Sequence, residues 1–398
     1  MDLTDKNIVL GVCGGIAAYK SVELLRALVK QGARVRVIMT RSACEFVGPL
    51  TFQSLSGNPV CVSLFEDNDD AAIRHIDWAR EADAVIVAPA TANILGKMAC
   101  GLADDALSTF MLAVTAPRLV CPSMNTHMYE NRAVQRNIDI LEAEGFTVIE
   151  PGTGELACGT TGAGRMPDPE IIVDRLLCML TPKDLAGRKV LVTAGPTREP
   201  IDPVRYISNS SSGKMGYAIA RAAEYRGAAV TLVTGPVSIA PPVNVDIVRV
   251  ETAADMASTV LDRMDDSDII FKVAAVGDYR AADTAAHKIK KTGGSECVLH
   301  LAENMDILKA IGERKTNQVV VGFAAETQDL AANAQKKLAA KNTDMIAANL
   351  ISETASPFNA ETNKVHLFYK NGKEEQLPET DKLALSHVLL DRVLGLMG

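Results

Sequence analysis

The sequence predicts an α/β protein made of two doubly wound parallel-sheet domains, and three observations carry that expectation. Short apolar runs rich in β-branched residues alternate with stretches of helical periodicity from one end of the chain to the other. Unbroken apolar strands separated by helical stretches of about 10–15 residues imply parallel strands with both faces covered by helices. Both halves also open alike, with a strand, a glycine turn, a helix and a second strand: VLGVCGGIAAYKSVELLRAL then RVRVIMT, and VLVTAGPT…GKMGYAIARAAEYRG then AVTLVTG. Between them LTPKDLAGRKV (180–190) breaks the periodicity and carries Pro and Gly, which sets a boundary at 181–188 and domains of 1–181 and 188–398. A chain of 398 residues has room for two domains.

Taken in order, the strands of the first half are NIVLGV, ARVRVIMT, ADAVIVAPA, RLVCPSMN and FTVIEP. Those of the second are KVLVTAG, AAVTLVTG, DIVRVET, DIIFKVAAV, QVVVGFAAE and DMIAAN. In the second half about twenty residues, PTREPIDPVRYISNSSSGKM, separate the first strand from its helix. Ligands of open α/β sheets bind beyond the carboxyl ends of the strands, so a long insertion there points to function.

Composition narrows the function. Acidic residues outnumber basic ones 49 to 41, with a net charge of -8, which argues against a nucleic-acid partner. No apolar run approaches the roughly 20 residues of a membrane span, and MDLTDKNIVLGV lacks the charged start and cleavage site of a signal peptide, so a cytoplasmic protein with no membrane partner is expected. Eight cysteines (Cys13, Cys44, Cys61, Cys100, Cys121, Cys158, Cys178 and Cys297) lie far apart without a C-x-x-C pair. Neither a disulfide framework nor a zinc site follows, and most of them read as small buried hydrophobes. Cys158 differs, because ELACGTTGAGRM (155–166) surrounds it with glycine and threonine.

Several short motifs each carry two readings. GVCGGIAAYK (11–20) follows a strand and opens a helix, so Gly14 and Gly15 form either a phosphate cradle or a plain turn. In APATANILGKMACGLADD (88–105), Thr91 and Asn93 are ligand-facing polar groups or caps. RHIDWAREAD (74–83) sets His75 at the start of a helix packing Ile76 and Ala79, as a surface residue or a site residue. CPSMNTHMYE (121–130) puts Asn125 just after a strand, again where a cap would stand. SNSSSGKMG (208–216) fails as a P-loop, with Ser208 where Gly is needed and Met215 where Ser or Thr is needed. Its hydroxyls and Lys214 still suit a phosphate or carboxylate. KIKK (288–291), Lys337 and Lys341 are local positive charge or solvated lysines.

In this order, GGIAAYK, HID, APATAN, PSMN, ACG, AGPTREPIDPVRYISNSSSGKMG, GDYR, KIKK and GFAAET resemble one family over essentially the whole chain. It is the family of bacterial bifunctional phosphopantothenoylcysteine decarboxylase/phosphopantothenate–cysteine ligases of coenzyme A synthesis. The resemblance implies a flavodoxin-like, Rossmann-like FMN domain followed by a Rossmann-like ligase domain. It implies an FMN site at Gly15, Ile16, Ala17, Thr40, Ser42, Thr91, Asn93 and Ser123, and a catalytic trio of His75, Asn125 and Cys158. Cys13 stands where the family often has Ser.

The chemistry such a trio would serve explains the residue types. An amide-linked cysteine has no electron sink, so loss of CO₂ must follow oxidation of the C–SH bond to a thioaldehyde. His75 would position substrate or take a proton, and Asn125 would hold the carboxylate through its amide. The enethiolate left behind needs a proton on carbon. Cys158, with an ordinary thiol pKa near ~8.5 that an adjacent anion would raise further, suits a proton donor on a flexible substrate-covering loop.

For the second domain the resemblance implies a ligase that joins 4'-phosphopantothenate to L-cysteine through an acyl-cytidylate. CTP would bind at Asp278, Lys288, Asn304, Met305, Asp306, Ile307, Phe323, Lys337 and Lys341, with Mg²⁺ or Mn²⁺ on the triphosphate, and Asn209 would face the acyl-phosphate. No metal ligand of the protein is assigned. Met305 replaces the Pro of an Asn-Pro-Asp-Ile pattern, and Gly277 replaces the usual Ala before Asp-Tyr-Arg. The family further implies a homo-oligomer, trimer-based in the flavin domain and dimeric in the ligase domain. The rivals are a non-catalytic flavoprotein regulatory module and a nicotinamide-dependent reductase, the latter lacking its G-x-G-x-x-G.

Overall fold

The computed structural model describes residues 3–64, 71–157, 159–290, 297–326, 328–350 and 360–397, and for 71–75 the backbone alone. The first of two units, 2–181, is organised by six parallel strands: β1 (Asn7–Val12), β2 (Arg34–Met39), β3 (Val60–Cys61), β4 (Ala84–Ala90), β5 (Arg118–Pro122) and β6 (Thr147–Val148). Their order is β3-β2-β1-β4-β5-β6, the doubly wound arrangement. β4 is buried at every position, as a central strand covered on both faces must be. The helix Ala18–Lys30 turns Ala18, Ser21, Leu24, Leu25 and Leu28 inward, a stripe at the 3.6-residue period.

Two expectations for this unit need correction. FTVIEP yields only the two-residue β6, although Ile149 N still donates to Val120 O of β5 at 2.9 Å. The helix carrying His75 begins at Ala71, a turn earlier than expected, and buries Trp78 and Ala79 while Ile76 is exposed. The residues flanking the Cys158 segment pair as an antiparallel hairpin of β7 (Gly152–Glu155) and β8 (Thr161–Arg165).

The second unit, 182–398, repeats the winding. β9 (Lys189–Ala194), β12 (Ala229–Thr234), β13 (Asp246–Arg249), β14 (Ile269–Lys272), β17 (Val319–Glu326) and β18 (Met345–Leu350) run parallel in the order β13-β12-β9-β14-β17-β18. The sheet is not purely parallel, however. His366–Tyr369 joins β18 antiparallel, and Glu374–Gln376 pairs with it in turn. The insertion after β9 holds a short hairpin of β10 (Arg198–Pro200) and β11 (Tyr206–Ser208), and β15 (Tyr279–Ala281) pairs antiparallel with β16 (Leu301–Glu303). Leu185, ahead of β9, is fully buried in this unit's core.

Candidate functional site

In the first unit the sheet order reverses between β1 and β4, and the loops leaving the carboxyl ends of β1, β2, β4 and β5 converge there. A Cβ on Gly14 would lie 2.3 Å from Ser42 Cβ and 2.7 Å from its carbonyl carbon, so only glycine lets the β1 turn rest on the β2 turn. Thr40 and Thr91 cap the helices that follow their strands, Thr40 Oγ1 accepting from Ala43 N at 3.3 Å and Thr91 Oγ1 from Ile94 N at 3.4 Å. Ser123 N donates to Ala90 O at 2.9 Å. The result is a cavity of about 680 Å³ walled by Gly15, Thr40, Ser42, Thr91, Asn93 and Ser123.

Six of the eight residues expected at a flavin thus share one cavity. Ile16 and Ala17 do not line it: Ile16 is 62% exposed and Ala17 is buried. Asn125 caps the short helix Thr126–Tyr129, its Oδ1 accepting from His127 N at 2.9 Å, and its neighbours Met124 and Met128 reach the cavity wall. The His75 side chain and Cys158 lie outside the described residues. The hairpin that carries Cys158 is anchored to this site, since Met124 N donates to Gly164 O at 3.0 Å.

Sequence reasoning missed a charged cluster on the same wall. Lys97 donates to Asp105 Oδ2 at 2.6 Å and pairs with Asp104 at 2.5 Å, and these bonds push its ammonium pKa up. Asp105 is also the cap of the helix Ala106–Ala113 through a capping box with Ser108. Its D-x-x-S spacing was the signal available in the sequence. Cys13 is 1% exposed, and burial pushes its thiol up to about 12 against a hydrogen bond from the Thr91 backbone, so it packs as an apolar residue. Of the other described cysteines, Cys61 and Cys121 are buried, whereas Cys100 and Cys297 are exposed.

In the second unit the reversal lies between β9 and β14. Thr193, fully buried on β9, accepts hydrogen bonds from Val273 N (3.0 Å) and Ala274 N (3.1 Å), fixing the chain as it leaves β14. Asn209 Nδ2 donates to Val276 O at 2.9 Å, which ties the insertion to that same segment. Gly213, with φ 78°, caps the helix Lys214–Tyr225 in the left-handed region that glycine favours. A cavity of about 410 Å³ opens here, lined by Asn209, the Ser210–Gly213 turn, Lys214 and Lys382.

A second cavity, of about 310 Å³, is lined by Asp278, Asn304, Met305, Asp306 and Ile307 on one side and by Phe323, Lys337 and Lys341 on the other. All the residues expected at CTP meet there except Lys288, which is exposed and lines neither cavity. Its loop is nonetheless held: the buried Asp202 carboxylate accepts from Ile289 N at 3.1 Å, and the Arg205 guanidinium donates to Ile289 O at 2.7 Å. Several donors, Arg205 foremost, keep Asp202 well below the usual carboxylate range. Lys291 lies outside the described residues.

Charge in these cavities is largely compensated. Lys341 pairs with Asp306 at 2.8 Å and Lys337 with Glu326 at 3.1 Å. Burial works against the Asp306 carboxylate, yet bonds from Lys341 and Lys309 N hold it below its ordinary value. Lys272, at the end of β14, lines both cavities together with Val276, Phe323 and Lys337. Burial, reinforced by Lys341, pushes its pKa down to about 8. A lysine closing the apolar run DIIFK is the signal that the sequence offers for it. A Cβ on Gly277 would meet only ordinary contacts at 3.5–3.6 Å, so the usual Ala would fit there. Among the described residues no group of three or more His, Cys, Asp or Glu could hold a metal ion, and no helix is long and apolar enough to cross a membrane.

Two family models match the chain end to end: Flavoprotein over residues 1–181, and DNA/pantothenate metabolism flavoprotein C-terminal domain over 185–396. The chain is 49% identical to the coenzyme A biosynthesis bifunctional protein CoaBC of Bacillus subtilis (strain 168), covering 99% of this chain and 98% of that protein. It is 47% identical to the protein of the same name from Escherichia coli (strain K12), with the same coverage. A crystal structure of the C-terminal domain of a coenzyme A biosynthesis bifunctional protein CoaBC is 41% identical, covers 54% of this chain and 98% of its own, and superposes with a TM-score of 0.47. The chain belongs to the family of bifunctional coenzyme A biosynthesis proteins, with a flavoprotein domain followed by a DNA/pantothenate metabolism flavoprotein C-terminal domain.

Proposed function

We propose that this cytoplasmic protein catalyses two successive steps of coenzyme A synthesis. The second unit joins 4'-phosphopantothenate to L-cysteine at the expense of CTP, giving CMP and pyrophosphate. The first unit then decarboxylates phosphopantothenoylcysteine to 4'-phosphopantetheine with FMN. The observation that carries this reading is the pair of cavities, each at the carboxyl edge of a doubly wound sheet where the strand order reverses, in a chain similar over its full length to bifunctional relatives. That full-length similarity disfavours a non-catalytic flavoprotein module.

The first cavity fits FMN. Its volume of about 680 Å³ is that of a cofactor site, and Gly14 brings backbone against Ser42 where a Cβ would block it. The Thr40 and Ser42 hydroxyls and the N-terminus of the helix after Thr91 would hold the phosphate, with Asn93 and Ser123 toward the ring. When bound, FMN would supply the two-electron redox chemistry that the substrate C–SH carbon needs. Asn125 would hold the substrate carboxylate, His75 would handle the proton of the oxidation step, and Cys158 would protonate the enethiolate carbon.

In the second unit the 410 Å³ and 310 Å³ cavities share a wall, which supports one extended site for nucleotide and acyl substrate. Asp278, Asn304, Met305, Asp306, Ile307, Phe323, Lys337 and Lys341 would take CTP together with Lys288, and Asn209 would face the acyl-phosphate. Mg²⁺ or Mn²⁺ would ride on the triphosphate, which needs few protein ligands. The family membership favours a homo-oligomer, trimeric through the flavin units and dimeric through the ligase units. Two assays test the reading: CO₂ release from supplied phosphopantothenoylcysteine, and Mg²⁺-dependent pyrophosphate release from CTP with 4'-phosphopantothenate. Failure of either, in folded protein loaded with FMN, overturns the corresponding half.

A further inference from the structure

Lys272 stands apart from the other lysines of the second unit. It closes β14, beside the point at which the sheet order reverses, and its side chain forms part of the wall common to both cavities. Lys337 and Lys341, its neighbours there, are each paired with a carboxylate within 3.1 Å. Lys272 is not: its Nζ donates to the Ala274 carbonyl at 2.8 Å, and it forms no ion pair among the described residues. Asp306 and Asp278 act on it only from a distance, against the repulsion of Lys341 and Lys337.

A half-buried ammonium without a counter-ion is a liability to the fold. Removing a charge from water costs free energy that only a close partner or solvent repays, and a well-packed apolar residue of similar shape is often the more stable choice. The position of β14 does not demand a lysine either, since Thr193 already fixes the backbone that follows it. The burial that pushes its pKa down to about 8 still leaves it mostly protonated at neutral pH. The missing counter-ion is therefore to be sought in what the cavities take up.

We infer that Lys272 is a binding residue of the ligase site, whose ammonium engages the phosphate chain of the nucleotide where it meets the acyl substrate. The inference rests on the ligase reading above. In that reaction a carboxylate oxygen of 4'-phosphopantothenate forms a bond to the α-phosphorus, the bond from that phosphorus to the bridging oxygen breaks, and its electron pair leaves with pyrophosphate. No proton moves, two anions are brought together, and negative charge builds on the leaving group. A fixed cation between the two cavities offsets that repulsion and stabilises the transition state more than the separated substrates.

The test compares the wild-type chain with Lys272→Met and Lys272→Gln. Pyrophosphate release is followed with cysteine omitted, CTP affinity is measured by calorimetry with Mg²⁺, and melting temperature is recorded without ligand. The expected result is a loss of about a hundredfold in the rate of pyrophosphate release together with weaker CTP binding. The melting temperature of Lys272→Met should stay level or rise. Wild-type rates and affinity in both variants would overturn the inference while leaving the ligase reading intact. A marked fall in melting temperature in both would identify a structural lysine and overturn it as well. If the wild-type protein itself releases no pyrophosphate, the ligase reading falls, and the inference with it.

Discussion

Thr193 shows how one hydroxyl shapes a site about eighty residues away in sequence. Its Oγ1 accepts from two consecutive backbone N–H groups, those of Val273 and Ala274, in a fully buried position. Thr193→Val keeps the shape and removes the acceptor, which leaves two orphaned donors at a cost of about 1–3 kcal/mol each. Denaturant unfolding should register that loss, and the KM for CTP should rise because the cavity wall after β14 is no longer fixed. Lys288 belongs to the same scale but to a different question, since it is exposed in the structure and lines neither cavity. If its ammonium reaches the bound nucleotide, Lys288→Gln should abolish pyrophosphate release and leave stability unchanged, as an exposed lysine contributes little to folding. Wild-type release from that variant would return Lys288 to the solvated surface.

At the scale of elements, the helix Ala106–Ala113 joins folding to the flavin cavity. Its cap, Asp105, accepts from Ser108 N at 2.8 Å and also holds Lys97, so one carboxylate anchors two helices on the cavity wall. Burial opposes the charged form, but the bonds from Lys97 and Ser108 prevail and the folded carboxyl titrates below its ordinary value. A depressed carboxyl contributes stability that is fully present above the unfolded pKa of about 3.9 and is lost as pH falls through the folded value. Asp105→Asn should therefore destabilise the protein at neutral pH and flatten the acid limb of its stability profile below about pH 4. Parallel acid limbs for the two proteins would show that the Lys97–Asp105 pair carries no such linkage. The expected weakening of FMN retention is a separate readout, taken from flavin absorbance after gel filtration.

For the molecule as a whole, the question is where the second unit begins. Leu185 is fully buried in the core of that unit, and Asp184 pairs with Arg226, whose side chain is only 6% exposed and which Asp391 also holds. A fragment starting at 188 discards both, strips a core residue and leaves a buried guanidinium with one of its two carboxylate partners. Fragment 182–398 should fold and release pyrophosphate from CTP, whereas 188–398 should melt at a lower temperature. Fragment 1–181 should keep the decarboxylation of supplied phosphopantothenoylcysteine. Equal melting temperatures for the two ligase fragments would show that the segment 182–187 adds nothing to the fold.

What the sequence determined by itself is whatever is local in origin. Apolar runs such as NIVLGV and QVVVGFAAE carry their strand character in consecutive residues, and Gly14, Thr40 and Thr91 declare turns and caps within three or four positions. The doubly wound class follows from their alternation, because parallel strands need crossovers and helices supply them. What tertiary structure alone decided is contact across long stretches of chain. The Asp202 clamp on Ile289, the Lys97–Asp105 pair as a cavity wall, the antiparallel edge after β18 and the place of Lys272 between two cavities all depend on strand order. A lysine ending an apolar strand reads the same in sequence whether it meets solvent, a carboxylate or a ligand site. Only the sheet brings the end of β14 to the reversal point, and there an unpaired charge acquires a meaning that its neighbours in sequence do not carry.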